Sequence, residues 1–215
     1  GEGLTLSVTA DLESSFLDRW DSGQNVVEPL LEEVMNLAIN GGTAKLGRLL
    51  APFGISDIVL VGRSSPLPSK GQIETLPSSV ESALGRQLDL IRIEASPGIV
   101  RYRNVSVIPV AAILPNGQTV GRTLRSFASD PSPDSGIEAP SYGSPISSFE
   151  GFVEDSSEIF LAAPFGSSWE LSVDGVEIKQ QVALEWGMGF DPNISGDFKL
   201  SHQTPSGHKT VISLQ

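Results

Sequence analysis

The chain has 215 residues and a formal net charge of −12, with 26 Asp/Glu against 14 Lys/Arg. That balance repels a phosphate backbone and no Lys/Arg cluster offsets it, which argues against nucleic acid as a partner. Cysteine is absent, so disulfides, thiolate metal sites and thiol nucleophiles are excluded together. No window approaches the ~20 consecutive apolar residues of a membrane span, and Gly1 to Ala10 lacks the basic and apolar regions of a secretion signal. The start at Gly1-Glu2-Gly3 and the stop inside the apolar pattern Thr210-Val-Ile-Ser-Leu-Gln215 lead us to expect a soluble domain excised from a longer protein.

In chain order, Leu4 to Thr9 alternates apolar and hydroxyl side chains, the period of a half-buried strand. Asp11 to Asn25 is acidic with scattered aromatics and reads as a surface loop or short helix. Pro29 near a helix start, followed by Leu30, Leu31, Val34, Leu37 and Ala38, predicts an amphipathic helix with Glu28, Glu32 and Glu33 in its first turns. Asn40-Gly41-Gly42 ends it. Leu46, Leu49 and Leu50 then recur at helical spacing, and Gly54 supplies a stop where positive φ is cheap. The run Ile58 to Val61 follows, apolar at every position, and predicts a strand covered on both faces. Pro77 to Leu88 reads as a short helix, and Asp89 to Glu94 with Gly98 to Arg103 as a hairpin turning on Ala95-Ser-Pro-Gly98. Residues 1–104 therefore form one predicted subdomain, a small α/β layer.

After Arg103 the texture changes. Val105 to Leu114 is apolar, and Asn116-Gly117 predicts a tight hairpin. Ser126 to Ser148, rich in Ser, Pro, Asp and Gly, reads as a long loop. Short β runs then arrive at sandwich-like spacing: Ser148 to Val153, Glu158 to Ala162, Trp169 to Val173, Val176 to Ile178, Gln181 to Trp186, Asp197 to Ser201 and Lys209 to Ser213. Asp174-Gly175 marks a two-residue turn between two of them. Residues 105–215 are thus expected to be an antiparallel β-sandwich of jelly-roll or immunoglobulin-like kind, and the whole chain an α+β protein.

Catalytic constellations are scarce. No Gly-x-Ser-x-Gly occurs, and the two histidines, His202 and His208, flank the turn Thr204-Pro-Ser-Gly207, where exposed loop positions explain them. Two histidines without cysteine fall short of a zinc ligand set, so no metal and no cofactor are expected. Glu150, Glu154, Asp155 and Glu158 lack the alternation of a calcium loop and read as a solvated strand edge and turn. Gly41-Gly42 and Gly62-Arg63 match no phosphate loop. Aromatic faces bind the C–H surfaces of pyranose rings, which nominates Trp169, Trp186 and Tyr142. Trp169 alternates in phase with Leu171 and Val173 and belongs to a core. Trp186, beside the loop-like Gly187-Met-Gly189, is the better ligand candidate, with Tyr142 second.

Three segments carry a family resemblance: Gly41-Gly-Thr-Ala-Lys-Leu-Gly-Arg-Leu-Leu-Ala-Pro-Phe-Gly-Ile-Ser-Asp-Ile-Val-Leu-Val61, the helix ending at Leu88-Asp-Leu90, and Pro97-Gly-Ile-Val-Arg-Tyr-Arg-Asn104. Together with Trp169-Glu-Leu-Ser-Val-Asp-Gly175 and Glu185-Trp-Gly-Met-Gly-Phe190, they resemble the extracytoplasmic region of large polytopic actinobacterial glycosyltransferases of family 2 type. In that family the chemistry belongs to a separate cytoplasmic domain with Asp-rich metal motifs, and none is present here. The resemblance implies a non-catalytic domain on the outer side of the cell membrane, next to transmembrane helices of the parent protein, that positions or binds a glycan or lipid-linked sugar for cell-envelope polysaccharide assembly. The rival expectation is a stand-alone carbohydrate- or protein-binding module.

Overall fold

The computed structural model describes residues 26–61, 78–96, 98–130, 140–142 and 148–202. The expected strands Leu4 to Thr9 and Lys209 to Ser213, the segment Asp11 to Asn25, Gly62-Arg63 and His208 lie outside the described residues. The fold is α+β, with antiparallel sheets throughout. Helix α1 (Val27–Ile39) buries Leu31, Val34 and Ala38 of the expected stripe together with Met35, while Leu30 and Leu37 are partly buried against the same core. It ends where Gly41 takes φ 74° and Gly42 N–H reaches back to the Leu37 carbonyl at 2.8 Å. Helix α2 (Leu46–Leu50) passes into a 3₁₀ turn (Ala51–Phe53) that Gly54 stops at φ 68°, before strand β1 (Asp57–Val61). Helix α3 (Ser78–Gly85) and the hairpin β2 (Leu90–Ser96) and β3 (Ile99–Asn104) complete this layer. The sheet runs β1-β3-β2.

β1 departs from expectation. Among the described residues it is an edge strand with one covered face: Ile58 and Leu60 pack inward, while Val59 and Val61 are 51% and 52% exposed. A continuous apolar run cannot by itself distinguish a strand buried on both faces from one whose outer face awaits a partner.

The remaining strands build the sandwich. β4 (Ala111–Pro115), β7 (Ser157–Pro164), β10 (Gln181–Ala183) and β11 (Gly187–Phe190) make a four-stranded sheet in the order β10-β11-β7-β4. β5 (Ser141–Tyr142), β6 (Ser148–Val153), β8 (Trp169–Val173), β9 (Val176–Ile178) and β12 (Gly196–His202) make a five-stranded one in the order β5-β6-β12-β8-β9. Between them lies a core that includes Ile113, Phe149, Ile159, Leu161, Leu171, Met188, Phe190 and Leu200. The four-stranded sheet is covered on its other face as well. Ala112, Leu114 and Phe160 alternate away from the sandwich and join Leu31, Leu49, Leu84 and Tyr102 in a second core beneath the helices. That second core runs across the expected boundary at residue 104.

Of the two expected tight hairpin turns, one forms as read and one does not. Asp174 and Gly175, at φ 48° and 81°, form the expected tight turn of a β8–β9 hairpin. Asn116-Gly117 does turn, with Gly117 at φ 76°, but no return strand follows. β4 pairs instead with β7, and the chain passes into helix α4 (Leu124–Ser129), which runs into the start of the expected Ser126 to Ser148 loop. The missed signal is local: Thr123 and Ser126 form a reciprocal capping box, and Leu124, Phe127 and Ala128 recur on one helical face.

Candidate functional site

Residues from α2, from the turn after α3 and from the end of β3 converge on a buried polar knot around α2. This helix begins without a side-chain cap of its own, so its first N–H groups need partners from elsewhere. Gln87 Oε1 accepts from Leu46 N–H at 2.9 Å, and Asp89 Oδ2 accepts from Arg48 N–H at 2.7 Å. Gln87 Nε2 donates to the carbonyls of Thr43 and Ala83, and Asn104 Nδ2 to those of Gly47 and Ile55. Gln87, Asp89 and Asn104 are 6%, 6% and 2% exposed. Gly47 makes the approach feasible, because a Cβ there would stand 2.8 Å from the Asp89 carbonyl oxygen and overlap Asn104 Oδ1. These bonds hold the backbone of three segments together, while Asp89 Oδ1 and Arg48 Nη2 are buried in the same region without a hydrogen-bond partner.

The acidic run resolves differently from its reading as a wholly solvated edge. Glu150 is an exposed partner of Lys199 at 2.9 Å. Glu158 is 1% exposed, and its carboxylate accepts from Gly117 N–H, Thr119 N–H and Thr119 Oγ1–H. It therefore pins the Asn116-Gly117 turn from inside, an arrangement between distant segments that sequence spacing cannot show.

The nominated aromatics are not brought together. Trp186 is 5% exposed, stacked on Phe53 at 4.8 Å between ring centres and met edge-on by Phe160 at 6.4 Å. The loop that was to present it is strand β11. Its glycines serve close packing: a Cβ at Gly187 would stand 2.7 Å from the Phe160 ring, and one at Gly189 would stand 3.1 Å from the Ala183 Cβ. As a solvent-facing platform, Trp186 is thus corrected to a core residue. Tyr142 lies in β5, at the edge of the five-stranded sheet and paired with Phe149, on the far side of the sandwich core. Trp169 packs against that core as expected, tilted on Phe149 at 5.8 Å, with the exposed His202 edge-on to it at 5.4 Å. Among the described residues, no three His, Cys, Asp or Glu side chains gather as a metal site.

A cleft with about 130 Å³ of open volume lies where α1, α2 and α4 meet the β10–β11 turn. Leu30, Val34 and Leu37 of α1, with Leu49 and Leu124, supply an apolar floor, and Glu33, Thr123, Arg125 and Glu185 supply polar groups. Glu33 and Arg125 pair at 2.9 Å with both side chains more than half exposed. Glu185 sits at φ 71° in the turn, and its Oε2 accepts from Leu124 N–H at 3.1 Å, so the β10–β11 turn and the start of α4 are tied together. An apolar floor with a few convergent polar groups makes this the candidate place for a small ligand, in a cleft smaller than the roughly 300–1,000 Å³ of most ligand pockets. Leu30, Val34 and Leu37 were visible in the sequence as a helical stripe. Their juxtaposition with Arg125 and Glu185 depends on α4, which the sequence reading missed.

No family model matches the chain, and no curated protein or solved structure does either.

Proposed function

We propose that this chain is a non-catalytic, extracytoplasmic domain of a membrane glycosyltransferase of cell-envelope polysaccharide assembly, and that it holds glycan, free or lipid-linked, in the cleft between α1, α4 and Glu185. The observation that supports this reading is the amphipathic build of the cleft. A pyranose ring has an apolar C–H face, which the leucine floor fits, and a rim of hydroxyls, which two carboxylates and a guanidinium can engage as acceptors and donors. The motif residues of the resemblance, by contrast, are engaged in the buried knot, in keeping with a scaffold that carries no reaction chemistry of its own.

Glycan-array binding of the soluble chain tests the reading. Arg125→Ala is a clean probe, because an exposed ion pair contributes only about 0–1 kcal/mol to stability and its loss leaves the fold standing. Leu37→Trp, which fills the cleft, is the second. Binding by the wild type that both substitutions weaken at least tenfold is expected. Wild-type binding that survives both, or no glycan binding at all, would overturn the reading in favour of a scaffold that couples membrane helices. Trp186→Ala is unsuitable as a probe, since emptying a buried tryptophan site costs about 3–5 kcal/mol and would abolish binding through unfolding.

A further inference from the structure

The outer face of the β1-β3-β2 sheet, away from the cleft, leaves apolar side chains exposed. Antiparallel register puts Asp57, Arg103 and Ile91 in one row across the three strands, with Val59 and Arg101 in the next and Val61 beyond. Alternate residues Ile58, Leu60 and Tyr102 turn inward to the core under the helices. On the outward side Val59, Val61 and Ile91 are 51%, 52% and 55% exposed, and the Arg101 and Arg103 side chains are 38% and 54% exposed. A one-sided antiparallel sheet ordinarily turns polar residues to water. Here three β-branched apolar side chains stand in the open between two guanidinium groups.

Charge distribution says what covers this face. Residues 43–104 hold eight Lys/Arg and five Asp/Glu, a formal +3, inside a chain of −12, so the remainder carries −15. On the outward face of this sheet two arginines stand against one aspartate, a local excess of positive charge in an acidic chain. Asp57 lies 2.7 Å from Arg101 and 3.8 Å from Arg103 and offsets one of the two positive charges on the face. Apolar side chains flanked by arginine suit a surface that is anionic at its headgroups and apolar just beneath, where buried apolar area and electrostatic attraction act together.

We propose that the outer face of the β1-β3-β2 sheet docks on an anionic phospholipid bilayer and sets the orientation of the domain on the membrane. The proposal is independent of the glycan reading, because its test contains no glycan. The whole chain is sedimented with equimolar phosphatidylglycerol–phosphatidylcholine vesicles and with pure phosphatidylcholine vesicles. Binding to the anionic vesicles alone, weakened by added salt, is expected. Arg103→Gln leaves the Arg101–Asp57 pair in place and should weaken binding about fivefold. Val59→Ser with Val61→Ser should weaken it further, while Lys179→Gln, in the loop after β9, should bind as the wild type. Thermal melts establish that each variant is folded, and Ile91→Ser replaces any that is not. Equal binding to both vesicle types, no binding to anionic vesicles, or face variants that bind as the wild type would overturn the proposal. So would self-association without vesicles that the face substitutions abolish, which would make this surface a contact between copies.

Discussion

At Gly47 the backbone of α2 runs so close to the β2–β3 hairpin that no other side chain fits. The Asp89 carbonyl oxygen would lie 2.8 Å from an added Cβ, and Asn104 Oδ1 closer still. Gly47→Ala must push apart a region where Asn104 bonds two carbonyls and Asp89 and Gln87 satisfy the start of α2. Overpacking of this kind costs about 1–3 kcal/mol, and parting buried polar partners adds to it. Urea unfolding should show Gly47→Ala destabilised by about 2–3 kcal/mol, whereas Gly85→Ala, with nothing within 4 Å of the new methyl, should lose nothing. An unchanged midpoint for Gly47→Ala would remove the knot as the reason for the motif. The sequence displays Gly47, Asp89 and Asn104 as separate motif residues, but their mutual contacts join distant segments and no local spacing encodes them. Glu158 makes the same point: it is chemically identical to its solvated neighbour Glu150, and only the Thr119 turn decides that it is buried.

At the scale of elements, periodicity was reliable where one face alone is buried. The α1 stripe, the hairpin around Gly98 and the strands around Ser148 to Val153, Glu158 to Ala162, Trp169 to Val173, Val176 to Ile178 and Asp197 to Ser201 stand where apolar spacing and turn residues put them, whereas the expected strand Gln181 to Trp186 ends at Ala183 and turns through Leu184 and Glu185. It failed where tertiary partners choose. Asn116-Gly117 makes its turn, but β4 takes β7 as neighbour, and Gly187 and Gly189 read as loop although they permit close packing in a central strand. The edge strand β1 carries a pH signature of its own. The hydrogen bond from Arg101 holds the Asp57 carboxyl below its ordinary range, against the opposing effect of burial, with Ser56 and Arg103 helping. A carboxyl depressed in the folded state stabilises fully above its unfolded value of about 4, and that contribution is lost as pH falls through the folded value. Asp57→Asn should therefore be less stable than the wild type at neutral pH, with the gap closing below about pH 4 in denaturant titrations. A gap that stays constant down to the acid limit would show that the ion pair contributes nothing specific to β1.

Across the whole molecule, the four-stranded sheet is the shared wall between two cores. Its strands β4 and β7 are apolar on both faces because one face closes the sandwich and the other lies under the helices. That placement buries Trp186, brings Glu185 and α4 to the side of α1, and leaves the cleft between helices that belong to different halves of the sequence. The α+β class and the antiparallel second half were legible from the sequence. The cleft was not, since it exists only once α4 and the β10–β11 turn have packed on α1. An amide NMR titration of the labelled chain with oligosaccharides released from cell-envelope polysaccharide is the most direct test of a glycan-holding cleft. Shifts confined to α1, to α4 and to residues 184–186 are expected. Shifts centred on the five-stranded sheet around Tyr142, or a spectrum unmoved by any oligosaccharide, would contradict it.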